Sequence, residues 1–271
     1  MPEGWSMPIV TISRGSFSGG KAIAEKLAKV LGFRCIARDI IVERAAAAGV
    51  SQYDLVGAIE KPPSLLDRFR HKKYIYLALF QAALTEEVRT GRVVYHGHAG
   101  HLLLKGARPV LRVRIIAPLE MRIEMCRERL RLSSEEAVRY IQKMDQDRQK
   151  WTQFLYGVDW GKPELYDIVL NLEHMEIDEA CDMLAGVVKR QRCFDFGPHC
   201  QQEMDDLALA CRLKASLATD PATSDLEVEV TSAKGVVQVR GQVSTPNQFQ
   251  EIRRVAAGVP GITRLDLDGL G

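Results

Sequence analysis

A glycine-rich segment between residues 13 and 20 is the first place where this sequence could do chemistry. Gly15, Gly20 and Lys21 fit the spacing G-x-x-x-x-G-K. In that pattern the glycines let backbone N–H groups turn inward around phosphate oxygens at the positive end of a helix, and the lysine adds a mobile cation. The next residue, usually Ser or Thr with a hydroxyl for Mg²⁺, is Ala22. An ordinary glycine-rich turn is the alternative.

The residues on either side of this segment favour phosphate binding. Residues 9–12 are β-branched without polar alternation, which predicts a strand buried on both faces. From Lys21 to Leu31 apolar residues recur at helical spacing, and Gly32 ends the helix. A strand, a glycine-rich loop and a helix form the context that the pattern requires. The predicted phosphate-binding residues are Gly15, Ser16, Phe17, Ser18, Gly19, Gly20, Lys21 and Ala22.

The elements that must position this loop alternate between strand and helix. Further short apolar segments at 33–41, 92–97, 110–117 and 166–172 predict strands. Helical patterns lie between them, and the 119–151 region is expected to form two helices because 133–136 reads as an N-cap with acidic first-turn residues. This order predicts an α/β domain with a mostly parallel sheet and helices on both faces. Ligands gather at the carboxyl ends of such strands, where the loop, Asp39 and His98 fall.

Composition changes after Arg192. Residues 193–204 include Gly197-Pro198 and are predicted to be a linker. A helical stretch at 205–218, alternating valines on both sides of Gly235, a helix at 248–258 and a last strand at 262–267 predict a small α+β unit. The expected domains are therefore 1–192 and 205–271, with the tail folding as a separate unit.

The charge and cysteine content exclude several classes of protein. Lys+Arg 37 against Asp+Glu 35 gives a net charge of +2, too small to predict nucleic acid or an anionic membrane as a general partner. No apolar stretch is long enough to span a membrane, and the first residues do not have the pattern of a secretory signal. Six scattered cysteines suit reduced thiols. We expect a cytoplasmic protein.

Several segments together resemble the cytidylate kinase-like family of P-loop nucleoside monophosphate kinases. They are, in chain order, ISRGSFSGGKAIAEKLA, RDIIVERAA, VVYHGHAGHLL, IIAPLEMRI, DQDR and YGVDWGKPELYDIVLNL. The resemblance implies an α/β P-loop fold and transfer of the γ-phosphoryl group of ATP to a nucleotide acceptor, most plausibly CMP or dCMP. It also implies ATP and Mg²⁺ as cofactors, with Mg²⁺ held mainly through phosphates because Ala22 has no hydroxyl.

The resemblance also suggests roles for charged residues outside the loop. The arginine-rich region would form a lid over the transferred phosphoryl group, and planar guanidinium groups suit phosphate oxygens. For most of these arginines a solvated helix face is the alternative; Arg148 is favoured because it lies in the lid-like DQDR motif. The implied catalytic residues are Lys21, Arg148, Arg122 and Arg139, and the implied substrate-binding residues are Asp39, His98, Asp145 and Asp147.

Two of these residues have specific alternatives. Asp39 binds the ribose or base of an acceptor, or it is the N-cap of the helix that follows. His98 stands where the family usually has arginine, and a partly protonated histidine is a weaker phosphate ligand. His96, His98 and His101 also suggest a metal site, but no cysteine or carboxylate lies nearby in sequence, so no metal site is predicted.

The tail resembles a BON domain in the segments GVVQVRGQV and VAAGVPGITRLDLDGL. The resemblance implies a module that binds phospholipids or small ligands.

Two hypotheses compete with an active kinase. One is a nucleotide-sensing protein that kept the fold and lost turnover, as Ala22, His98 and Gln146 would suggest. The other is a protein whose main function is ligand binding by the tail.

Overall fold

The computed structural model describes residues 8–47, 49–60, 70–97, 99–108, 110–190, 198–243 and 245–271. His98 therefore lies outside the described residues. The described chain forms two compact units built from alternating stretches. The first takes in Met1–Ile40, Glu60–Pro63 and Gly91–Phe196, and the second takes in Ile41–Ile59, Ser64–Thr90 and Gly197–Gly271.

The first unit contains a parallel five-stranded sheet. Its strands are β1 (Ile9–Arg14), β2 (Arg34–Ala37), β3 (Val93–His96), β4 (Val110–Ile116) and β5 (Ile168–Asn171), in the order β2-β3-β1-β4-β5. Every neighbouring pair is parallel. The central strand β1 is buried over its first five residues, as its β-branched sequence predicts, with Ile9, Val10 and Ile12 at most 1% exposed. The predicted α/β fold class is confirmed.

The described helices are numbered in chain order. They are α1 (Gly20–Leu31), α2 (Arg38–Ala46), α3 (Gln52–Glu60), α4 (Arg70–Val88), α5 (Gly100–Leu103), α6 (Leu119–Leu130), α7 (Ser134–Tyr156), α8 (Ile177–Lys189), α9 (Pro198–Thr219) and α10 (Pro246–Ala257).

Two helices cover one face of the five-stranded sheet. α1 and α8 share a core with its strands, in which Ile23, Leu27 and Leu184 are fully buried. The predicted break in the arginine-rich region is confirmed. Ser133 accepts a hydrogen bond from the backbone N–H of Glu136, and the Glu136 carboxylate accepts one from the N–H of Ser133. This reciprocal cap starts α7, and only three residues separate it from the end of α6.

The second strand occupies only the first part of the apolar segment 33–41, which Arg38 and Asp39 interrupt. β2 ends at Ala37 and α2 begins at once with Arg38. Asp39 therefore lies inside the first turn of α2 and does not cap that helix. The helix α3 was not predicted from sequence.

The second unit contains the tail, a three-stranded sheet with two helices. β6 (Val228–Ala233) pairs antiparallel with β7 (Val236–Gly241), and β8 (Arg264–Leu270) pairs parallel with β7. One core joins α9 and α10 to this sheet, with Leu213, Val237 and Ile252 fully buried. The hairpin turn predicted at Gly235 is present, and Lys234 and Gly235 both have positive φ, of 52° and 79°. The small α+β unit is confirmed.

Helix α4 packs against α9 within the second unit. Arg89, just after α4, forms an ion pair with Asp205 at 2.9 Å, and the side-chain amide of Gln201 donates to the backbone carbonyl of Arg89. α9 begins at Pro198, within the stretch 193–204 that the sequence predicts to be a linker. The domain limits 1–192 and 205–271 stay a prediction. Among the described residues, no helix combines the length and apolar character needed to cross a membrane.

Candidate functional site

The segment between β1 and α1 forms a tight loop whose backbone requires glycine. Phe17 and Gly19 have φ of 61° and 79°. A side chain at Gly19 would bring its Cβ within 2.9 Å of Leu172 Cδ1, and one at Gly20 within 2.8 Å of Arg14 Cβ. The Ser18 hydroxyl donates to the Gly15 carbonyl at 3.0 Å. These contacts fold the loop back on itself, in the way a phosphate-binding loop requires.

The amino end of α1 opens into a cavity of about 200 Å³ beside the loop. Gly19 precedes the helix and supplies no side-chain cap, so the first N–H groups of α1 are available to an anion. Lys21 and Ala22 both line this cavity. The Lys21 side chain is 48% exposed and lies 3.6 Å from Glu25, a weak surface pair that a phosphate can replace.

Two side chains predicted to act on substrate, Arg122 and Asp145, contact the loop. Arg122 donates from Nε to the Ser16 carbonyl at 2.8 Å and pairs with Asp145 at 2.5 Å. Asp145 also accepts hydrogen bonds from the backbone N–H and the hydroxyl of Ser16. Gly15 allows this arrangement, because a Cβ there would lie 3.3 Å from the Arg122 guanidinium carbon.

A second cavity, of about 300 Å³, lies at the carboxyl ends of β1, β2 and β3. It adjoins the loop cavity, since Arg14, Lys21, Met144 and Arg148 line both. Arg148 donates from Nη1 to the Arg14 carbonyl at 3.0 Å, which holds α7 against the start of the loop. Two joined cavities that share cationic side chains suit two ligands, a phosphoryl donor and a phosphoryl acceptor, whose phosphate groups meet between the cavities.

The far wall of this second cavity carries aromatic rings. Trp160 and His101 line it, and Tyr166 stacks beside His101 with ring centroids 4.6 Å apart. The Tyr166 hydroxyl donates to the Trp160 carbonyl at 2.8 Å, and Arg114 lies over the Trp160 ring. Neither ring nitrogen of His101 has a hydrogen-bond partner within the described chain. Burial lowers the pKa of His101 to about 3, so the ring is neutral.

The remaining predicted site residues take different positions. Asp39 lines the second cavity and accepts hydrogen bonds from Arg38. Arg139 is 69% exposed on α7 and faces Glu135 at 3.9 Å, so it is outside both cavities. Asp147 is half-buried on α7 and lines neither cavity.

Three residues of this site, Arg14, Trp160 and Tyr166, were not predicted from the sequence, and His96 was considered only as a metal ligand. Arg14 directly precedes Gly15, the first residue of the loop pattern, so the pattern says nothing about it. Trp160 and Tyr166 belong to YGVDWGKPELYDIVLNL, one of the segments that resemble the family. Arg14 and His96 share a signal of position, because the carboxyl ends of parallel strands converge on one edge of the sheet, whereas Trp160 and Tyr166 precede β5.

The loop fits phosphate groups better than it fits a metal ion. Ala22 offers a methyl group, and Asp145 already accepts hydrogen bonds from Ser16 and an ion pair from Arg122. Within the described chain, no cluster of three or more His, Cys, Asp or Glu side chains is placed to bind a metal.

Comparison with known proteins agrees with this geometry. The model of the cytidylate kinase-like family matches residues 9–174, and that of the BON domain matches residues 205–266. The cytidylate kinase of Ignicoccus hospitalis is 31% identical over 171 residues, which cover 61% of this chain and 90% of the relative. The cytidylate kinase of Methanopyrus kandleri is 28% identical over 185 residues, covering 66% and 92%. A crystal structure of a Eubacterium ventriosum protein has a TM-score of 0.51 at 18% identity, covering 67% of this chain and 98% of that one.

The fold and the loop define the protein class: a parallel α/β domain of the P-loop type with phosphotransferase geometry. Since the family model covers more than half of the chain, the chain belongs to the cytidylate kinase-like family. It is a phosphotransferase of the nucleoside monophosphate kinase class that carries a BON domain at residues 205–266.

Proposed function

We propose that this protein transfers the γ-phosphoryl group of ATP to CMP or dCMP. The observation that carries the proposal is the pair of adjoining cavities, one formed by the phosphate-binding loop, with Lys21 and Arg148 shared between them. The cytidylate kinases of Ignicoccus hospitalis and Methanopyrus kandleri support the choice of acceptor.

The loop holds the donor. Its inward-facing N–H groups and the amino end of α1 bind the β- and γ-phosphates, and Lys21 moves from Glu25 to the phosphate oxygens. Mg²⁺, when bound through the phosphates, would neutralise part of their charge. Arg148 reaches the same point from α7 and stabilises the charge on the transferred group.

The second cavity holds the acceptor. Its Trp160 and His101 rings offer flat surfaces for a nucleobase, and Asp39 at its rim accepts hydrogen bonds from a ribose or an amino group. Joined cavities hold the phosphates of the bound donor and the bound acceptor next to each other. Phosphoryl transfer then occurs within one complex and needs no collision between free molecules. Phosphoryl transfer requires little more than this positioning and charge neutralisation.

A panel of acceptors tests the proposal. Each nucleoside monophosphate and deoxynucleoside monophosphate is incubated with ATP and Mg²⁺, and ADP formation is followed. We expect CMP or dCMP to give the highest kcat/KM. Lys21→Ala should lower turnover about a hundredfold or more, because it removes a charge from the reacting phosphates.

Lys26→Ala is the matched control on the same helix. Lys26 pairs with Asp178 and lines neither cavity, so activity should stay unchanged. A higher kcat/KM for another acceptor would refute the cytidylate assignment. ATP binding with no turnover of any acceptor would favour a nucleotide-sensing protein, the alternative raised by Ala22.

A further inference from the structure

We propose that Arg14 is a second catalytic arginine, which binds the transferred phosphoryl group at the junction of the two cavities, and that His96 positions it. This inference rests on the proposed phosphoryl transfer and adds a residue to it. It assigns Arg14 a direct contact with the reacting phosphate and gives His96 an indirect role through Arg14.

The position of Arg14 is the first argument. Arg14 is the last residue of β1, directly before the loop, and it lines both the donor and the acceptor cavities. Its side chain crosses Gly20 so closely that a Cβ on Gly20 would lie 2.8 Å from Arg14 Cβ and 3.1 Å from Arg14 Cδ. The glycine that precedes the catalytic lysine therefore also makes room for Arg14. The loop and the Arg14 side chain therefore pack directly against each other.

The charges around Arg14 are the second argument. Burial, followed by the positive charges of Arg148, Arg129 and Arg38, lowers the pKa of Arg14 to about 10. Arg129 lines the loop cavity and Arg38 lines the acceptor cavity. Guanidinium groups repel one another when they are brought together, and a polyanion between them removes that repulsion. The cluster is therefore arranged for an anion that enters from both sides, as joined donor and acceptor phosphates do.

His96 holds the Arg14 side chain in this position. Arg14 Nη1 lies 3.4 Å from His96 Nδ1, and His96 is 5% exposed at the end of β3. Burial and the neighbouring Arg14 charge lower the pKa of His96 to about 4. At neutral pH the ring is uncharged, so Nδ1 accepts a hydrogen bond from Arg14 and adds no repulsion.

The chemistry requires no proton from Arg14. In the transfer, the bond between the γ-phosphorus and the β–γ bridging oxygen breaks, and an acceptor phosphate oxygen forms the new bond, giving ADP and a nucleoside diphosphate. Arg14 donates charge-assisted hydrogen bonds to the non-bridging oxygens of the group in transit. A fixed guanidinium there supplies charge neutralisation in a loop whose Ala22 gives no metal-binding hydroxyl.

Arg14→Met and Arg14→Lys test the contact. Arg14→Met should lower kcat about a hundredfold or more, with a much smaller effect on the affinity for ATP alone. It should also weaken binding of a bisubstrate analogue, adenosine and cytidine joined by five phosphates, by at least about tenfold. Arg14→Lys keeps a charge and a long stem, so it should fold and recover only part of kcat. Thermal unfolding verifies the fold of each variant.

Three further variants separate positioning from packing. His96→Asn keeps an acceptor close to the place of Nδ1 and should retain most of kcat, whereas His96→Leu should lower kcat with little change in KM. Arg127→Met is the matched control, because Arg127 is exposed and pairs with Glu124 on its own helix. Folded Arg14 variants with kcat and bisubstrate affinity within about threefold of Arg127→Met would overturn the inference.

The experiment also distinguishes this inference from the proposed function. If the wild-type protein transfers phosphoryl groups and Arg14→Met is unaffected, only the Arg14 assignment fails. If the wild-type protein transfers to no acceptor, the proposed function fails, and calorimetry with inorganic tripolyphosphate decides the role of Arg14. Binding weakened about tenfold in Arg14→Met would support a phosphate site, and equal binding, or no binding to the wild type, would overturn it.

Discussion

Replacing Asp206 with alanine should destabilise the tail of the protein measurably. Asp206 is 8% exposed on α9, and its carboxylate accepts hydrogen bonds from the N–H groups of Lys234 and Gly235 at 2.8 and 3.1 Å. It also accepts from Ser232 and Gln202. The carboxylate thus ties the hairpin turn between β6 and β7 to the helix beneath it.

The loss of stability in Asp206→Ala depends on which of the four hydrogen bonds to the carboxylate can be replaced by hydrogen bonds to water. All four hydrogen bonds are part-buried, but the Ser232 and Gln202 side chains can rotate toward water while the backbone N–H groups of the turn are fixed, so we count nothing for the two side chains. The two backbone N–H groups lose a charged acceptor, at about 1.5 kcal/mol each. Asp206→Ala should therefore lower the free energy of unfolding by about 3 kcal/mol.

The pH dependence gives the same prediction a second test. Burial raises the pKa of Asp206, but the hydrogen bonds from Lys234, Gly235, Gln202 and Ser232 outweigh burial and leave that pKa below its ordinary value. A carboxyl with a lowered folded-state pKa stabilises the protein above its unfolded-state pKa and loses that contribution as the pH falls through the folded-state pKa. The difference between wild type and variant should thus be full at neutral pH and shrink in acid.

Urea unfolding followed by circular dichroism at neutral and acidic pH measures both effects. Asp225→Ala is the matched control, since Asp225 is exposed in the same tail, and it should change stability by less than about 0.5 kcal/mol. A loss below about 1 kcal/mol in Asp206→Ala, or a loss that does not depend on pH, would refute the assignment of Asp206 as the anchor of the turn.

Three other predictions follow from the site and from the packing of α4. Asp145→Ala removes the acceptor that braces Ser16 and Arg122, so it should raise the KM for ATP about tenfold with the fold intact, and an unchanged KM in steady-state kinetics would contradict the bracing role. Ala22→Ser restores a hydroxyl beside the loop cavity and should tighten Mg²⁺·ATP binding in calorimetry, whereas weaker binding would show that the loop does not present this position to the metal. Removal of residues 198–271 exposes the side of α4 that packs on α9, so the shortened chain should lose thermal stability or aggregate, and a shortened chain as stable as the full one would instead favour the separate domains expected from sequence.

Local sequence patterns predicted the parts of this fold that depend on nearby residues. The β-branched run 9–12 gave the central strand, and the glycines on either side of α1 marked its ends. The cap at Ser133 and the turn at Gly235 were equally local, because a side chain or a positive φ within a few residues determines each of them. The resemblance to the cytidylate kinase-like family added the order in which the functional segments follow one another along the chain.

Contacts between distant parts of the chain were not predictable in this way. Arg14 and His96 lie 82 residues apart and meet only because β1 and β3 pair in parallel. The hydrogen bond between Asp145 and Ser16 likewise depends on the position of α7, which local sequence does not specify. The packing of α4 on α9 likewise joins segments that composition assigns to different domains. Nothing in either local sequence specifies its distant partner.

The most direct test of the account is the fate of the γ-phosphorus of ATP. The protein is incubated with γ-³²P-labelled ATP, Mg²⁺ and CMP, and the products are separated by thin-layer chromatography. We expect label to appear in CDP, at a rate that Lys21→Ala lowers about a hundredfold or more and Lys26→Ala preserves. Label that remains in ATP with CMP, dCMP and every other nucleoside monophosphate, in a protein that still binds ATP, would contradict it.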